Sequence, residues 1–106
     1  MRVLFDQGTP VPLRQHLTSH QVSTAFELQW GALRNGALIE RAEAEGFEVL
    51  VTTDQNLKYQ QNLTGRSMAI VVISTTSWPR IRNHVAAVVQ AVDDAAGGAY
   101  PEVAIP

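Results

Sequence analysis

Three runs of uninterrupted apolar residues constrain the fold more than any other feature: Val3-Leu4-Phe5, Val49-Leu50-Val51 and Ala69-Ile70-Val71-Val72-Ile73. A strand with one wet face alternates apolar and polar side chains. A strand apolar at every residue needs cover on both faces, as in a parallel sheet flanked by helices. The intervening segments supply the cover. Thr9 with Pro10 and Pro12 reads as a capped helix start running to about Leu17. Asn35-Gly36 opens an amphipathic helix with Leu38, Ile39 and Ala42 on its apolar face, stopped by Gly46. Ser77-Trp78-Pro79 opens the longest helix, with Ile81, Val85, Val88, Val89 and Val92 at helical spacing. Gln21–Thr24 adds a short strand, Val103-Ala104-Ile105 a short edge strand, and the stretch from Ala25 to Arg34 reads equally as a loop or as a short helix around Trp30. The expected architecture is a three-layer α/β domain with a mainly parallel sheet of four to five strands joined by right-handed crossovers.

With 106 residues, 45% of them hydrophobic, the chain forms one core and one domain, residues 1–106. The absence of cysteine excludes a disulfide scaffold and a thiolate metal centre. Met1-Arg2-Val3-Leu4-Phe5-Asp6 reads as a strand and not as a signal peptide, and no apolar run reaches membrane-spanning length. A cytoplasmic protein without a membrane partner is the expectation. The net charge of −2 gives no bulk attraction for polyanions, but charge is unevenly spread. Glu40, Glu43, Glu45, Glu48 and Asp54 crowd one stretch, whereas residues 55 to 92 hold no acid and carry Lys58, Arg66, Arg80 and Arg82. Solvated helix faces explain such a pattern; so does a cationic surface beside an acidic site, suited to a phosphate-bearing substrate.

Chemistry concentrates after the apolar strands. Asp6 follows the first and Asp54 the second. An aspartate there commonly caps the next turn. Two of them at the carboxyl ends of parallel strands, where ligands bind in such sheets, form a candidate site for a hard divalent cation. Asn35, also a natural helix cap, and Asn56 are candidate neutral ligands. Lys58, Gln60, Arg80 and Arg82 are candidate substrate contacts. Trp30 and Trp78 read as core or lid packing. His16, His20 and His84 have no metal-ligand spacing, and no glycine-rich phosphate loop, nucleophile elbow or zinc motif occurs. A phospho-receiver site would need a paired acid at the first strand and a late lysine. A haloacid-type phosphatase would need an acid where Gly8 stands.

The segments Leu4-Phe5-Asp6-Gln7-Gly8-Thr9-Pro10, Asn35-Gly36-Ala37-Leu38-Ile39 and Gly46 through Leu57, followed by Tyr59-Gln60-Gln61-Asn62-Leu63, together resemble the PIN-like domains. They are most similar to a small bacterial group of uncharacterised PIN-like proteins, and the resemblance extends to about Ala95. It implies a ribonuclease of the kind found as VapC-type toxins in toxin–antitoxin pairs, using Mg or Mn to activate water against a phosphodiester. By the same resemblance Asp6 and Asp54 match two of the acids, Asn35 stands where an aspartate is usual, and Asn56 stands at the second acid of an Asp-x-Asp-Phe motif. Glu27 is the only acid near the place of the helical glutamate. The acidic site is thus depleted. The resemblance leaves two functions: a metal-dependent endoribonuclease, or a catalytically inactive RNA- or protein-binding module. RNA, an antitoxin-like protein and a second copy of the chain are the implied partners.

Overall fold

The structure is a computed structural model that describes residues 1–57 and 66–106, and of Asn35 the backbone alone. Five strands, β1 (Arg2–Phe5), β2 (Gln21–Thr24), β3 (Val49–Thr52), β4 (Ala69–Ile73) and β5 (Glu102–Val103), form one sheet. Its order is β2-β1-β3-β4-β5 and every pair is parallel. The three apolar runs are its inner strands, β1, β3 and β4.

Side-chain alternation divides the core into two layers. Val3, Phe5, Val49, Val51, Val71 and Ile73 face one way. They pack against Leu13 and Leu17 of the 3-10 helix Val11–His16, Ile81 of α2 (Trp78–Arg82), and Val88 and Val92 of α3 (Val85–Asp93). Leu4, Leu50, Ile70 and Val72 face the other way, against Leu38, Ile39 and Ala42 of α1 (Asn35–Ala44) and against Phe47. Trp78 packs on the first layer and Trp30 on the second, edge-on to Phe47 with ring centres 5.9 Å apart.

The helices differ from the sequence expectation where local chemistry intervenes. The first is a six-residue 3-10 helix with Pro10 at its cap, because the Thr9 hydroxyl is engaged elsewhere. Asn35 is the first residue of α1 and Arg34 occupies the cap position. At the other end Gly46, at φ 84°, donates to the Glu43 carbonyl, and Phe47 donates to Ala42; this is a Schellman closure that needs a left-handed residue. The long helix expected over 77–92 is broken at Asn83-His84, where neither residue is a strong helix former and His84 N–H turns tightly onto the Ile81 carbonyl. No helix forms around Trp30.

The crossovers are not all of one hand. β2 to β3 and β4 to β5 advance in the same direction across the sheet, yet α1 covers one face while α2 and α3 cover the other. The β4–β5 connection therefore has the opposite hand to the β2–β3 connection. Handedness follows from strand twist, and β5, only two residues long, has little twist to impose.

Candidate functional site

In a parallel sheet ordered 2-1-3-4-5, neighbouring crossovers leave β1 and β3 toward opposite faces, opening a crevice at their carboxyl ends. Asp6 and Asp54 lie there. The β1–β3 register pairs Phe5 with Val51, so the next pleat sets Asp6 opposite Thr52, with Asp54 two residues further out. All three share the parity of Leu4 and Leu50 and point to the α1 side. The two aspartates are thus on one face but not at equivalent positions.

Asp6 is half-buried and held by hydroxyls. Thr52 Oγ1 donates to one carboxylate oxygen, and Thr9 Oγ1 lies 2.7 Å from the other. The Thr9 oxygen is also 2.9 Å from the Val51 carbonyl. Both threonines are buried. Burial pushes the Asp6 carboxyl above its ordinary value of 3.8, against the opposing hydrogen bonds from Thr52, Thr9 and the backbone of Thr9 and Gly8. Gly8 permits this turn: a Cβ there would sit 2.6 Å from Thr53 Oγ1.

Asp54 is half-buried as well. Its Oδ1 accepts the Asn56 N–H at 3.0 Å, the local turn foreseen as its alternative role, and its own N–H donates to Thr52 Oγ1 at 3.1 Å. Thr52 thus bridges the two aspartates. Asp6 and Asp54 line a small cavity of about 30 Å³ with Thr52 and Leu38. They also line an adjoining one of about 150 Å³ whose walls include Gln7, Gly8, Trp30 and Arg34. Arg34 is exposed, and its side chain has no hydrogen bond or ion pair among the described residues.

The other sequence candidates are dispersed. The Asn35 backbone opens α1, one residue from Arg34. Asn56 lines a different cavity, of about 480 Å³, with Gln55, Ser74 and Glu102 at the ends of β4 and β5. Arg80 and Arg82 are exposed on α2, on the far face of the sheet, with Arg80 Nε donating to the Pro106 carbonyl; neither lines the Asp6–Asp54 cavities. Lys58 and Gln60 lie outside the described residues. Glu27 is exposed and pairs with Arg14, whose hydrogen bonds hold its carboxyl below the ordinary value. Among the described residues no three His, Cys, Asp or Glu side chains gather at one point.

Sequence reasoning missed Thr9, Thr52 and Arg34. The threonines carry no motif of their own, although strand parity places Thr52 beside Asp6. Arg34 precedes a helix and looks like an ordinary surface residue. Compared with family models, with curated proteins and with solved structures, the chain matches none.

Proposed function

We propose that this chain is a cytoplasmic PIN-like domain that binds RNA over the carboxyl ends of its strands and hydrolyses it slowly with Mg or Mn. One observation carries the reading: Asp6 and Asp54, after separate strands at the crevice where strand order reverses, line the same cavities, with the Arg34 guanidinium, unengaged among the described residues, at the wall. The donor set fits a small hard cation. It consists of two carboxylates and the Thr52 hydroxyl, around a cavity of about 30 Å³, and a water-sized occupant needs roughly 10–15 Å³. Asp6 and Asp54 would hold the ion. When bound, such an ion polarises a phosphoryl oxygen and lowers the pKa of its water. Arg34 is placed to neutralise a phosphate oxygen, and Thr52 fixes the Asp6 carboxylate and receives the Asp54 N–H.

The depleted acid set makes the ion weakly held, because each missing carboxylate removes part of the attraction. The burial that raises Asp6 adds to this by favouring its protonated form. The same observation favours a second reading, a module that binds RNA without cleaving it. The test is cleavage of a single-stranded RNA with Mn, with Mg and with chelator, using the natural protein, Asp6→Asn and Asp54→Asn. Slow metal-dependent cleavage lost in both variants supports the enzyme. RNA binding without cleavage in any condition moves the assignment to the module. Cleavage surviving both substitutions defeats the site.

A further inference from the structure

The turn that follows β2 is over-determined. Thr24 Oγ1 accepts the Glu27 N–H at 3.1 Å and Glu27 Oε1 accepts the Thr24 N–H at 2.9 Å, a reciprocal capping pair. At its far end Gln29 donates to the Phe26 carbonyl at 3.0 Å and Trp30 to the Ala25 carbonyl at 2.8 Å. Gln29 itself takes the left-handed conformation at φ 61°. Arg14 of the 3-10 helix ties Glu27 from the side. This rigid turn does not bury its aromatic residue: Phe26 is 78% exposed, the most of any large hydrophobic among the described residues. It borders a cavity of about 550 Å³ walled also by Asp6, Gln7, Thr9, Val11 and Arg14. Asp6 and Gln7 belong equally to the Asp6–Asp54 cavity, so the two share a wall.

We propose that Phe26 is the stacking platform for an unpaired nucleobase of the strand whose phosphate lies at Asp6–Asp54, which makes the protein selective for single-stranded RNA. This rests on the RNA reading above. The cavity suits a base and not a phosphate. Arg14 gives Nη1 and Nη2 to Glu27 and its Nε is buried, and two carboxylates, Asp6 and Glu27, line the cavity. It is lined by the exposed ring of Phe26, by Val11, 55% exposed, and by Gln7, whose amide lies at the wall shared with the second cavity and can both donate and accept as a base edge requires. A duplex keeps its base faces stacked on one another and cannot present one to Phe26.

The experiment is fluorescence anisotropy with a short labelled single-stranded RNA, with magnesium and with chelator, for the natural protein and for Phe26→Ala, Phe26→Trp, Phe26→Leu and Arg34→Ala. Phe26→Ala and Phe26→Leu should weaken binding about 5- to 100-fold. Phe26→Trp should retain it, and the same RNA in duplex form should bind the natural protein no better than the single strand binds Phe26→Ala. Phe26 touches solvent, so unchanged thermal midpoints should accompany these losses. Binding unchanged in Phe26→Ala but lost in Arg34→Ala overturns the platform and leaves the RNA reading standing. No RNA binding by the natural protein in either buffer removes both. A dimer by sedimentation that becomes a monomer in Phe26→Ala overturns the proposal in favour of a contact between copies.

Discussion

Replacing Asp6 by asparagine should stabilise the metal-free protein at neutral pH and abolish its stabilisation by manganese. Asparagine is nearly isosteric and suits the hydroxyls around it. Its carbonyl can accept from Thr52. Its amide can donate to Thr9 Oγ1, freeing the Thr9 proton for the Val51 carbonyl 2.9 Å away. What disappears is the charge that burial disfavours. Because the folded-state pKa of Asp6 is raised, its contribution to stability is fully present below 3.8 and is lost as pH rises through the higher folded value. The natural protein and Asp6→Asn should therefore be nearly equal in acid and diverge toward neutrality. The variant should gain about 1 kcal/mol, the usual scale for a single stabilising substitution, or roughly 4–8 °C in a domain of this size. Manganese at about ten times its dissociation constant should restore about 1.4 kcal/mol to the natural protein alone. Thermal and denaturant unfolding across pH, with and without manganese, measures both. A variant less stable than the natural protein by the same margin at every pH would refute the burial argument. Equal stabilisation of both proteins by manganese would refute the metal assignment.

Glu43 should behave oppositely. Burial opposes its charge, but it accepts from Arg66 at 3.0 Å, Ser67 N–H at 2.9 Å, Ser67 Oγ at 3.0 Å and Met68 N–H at 3.3 Å, and these bonds hold its carboxyl below 4.5. Glu43→Ala should cost about 2 kcal/mol at neutral pH, and the gap should close as pH falls through the lowered value; a gap independent of pH in urea unfolding would exclude this charge-based account. Gly46→Ala, forced to φ 84°, should cost about 1–2 kcal/mol by thermal unfolding. Arg34→Ala should change stability by no more than about 0.5 kcal/mol while lowering RNA affinity and the steepness of its salt dependence.

The sheet was legible because its signal is coarse. The uninterrupted apolar runs at residues 3–5, 49–51 and 69–73 within β1, β3 and β4 require cover on both faces, whatever the neighbours do, and the structure supplies it with α1 on one side and three helices on the other. Helix detail was less legible because it depends on competition for single groups. Thr9 looks like a helix cap, but its hydroxyl serves Asp6 and the Val51 carbonyl, and that choice is visible only once β1 and β3 are paired. The break at Asn83-His84 is a marginal propensity effect within an apolar pattern that a continuous helix satisfies equally well. Asp6 and Asp54 stood out because each follows an apolar strand. Asn56 stood out as the second position of an Asp-x-Asp pattern, yet its backbone closes the turn on Asp54 and the residue lines a different cavity, shared with Ser74.

Topology and electrostatics also limit one another here. The crevice between β1 and β3 brings Asp6 and Asp54 together, but the strands that create it bury Asp6 and pair it with Thr52. A third carboxylate on the same pleat would add repulsion to a site whose first acid burial already pushes toward its neutral form. The Thr52 hydroxyl instead ties the Asp6 carboxylate to the Asp54 main-chain N–H, a link that adds no like charge to the crevice. On the proposed RNA reading the same economy would weaken cation binding, and affinity for the strand would have to come from outside the acid pair. Arg34 at the wall of the cavity and Phe26 on its hydrogen-bonded turn are exposed groups among the described residues that could supply it. They lie on either side of the wall formed by Asp6 and Gln7, so a bound strand would cross the aspartates between a cation and an aromatic face.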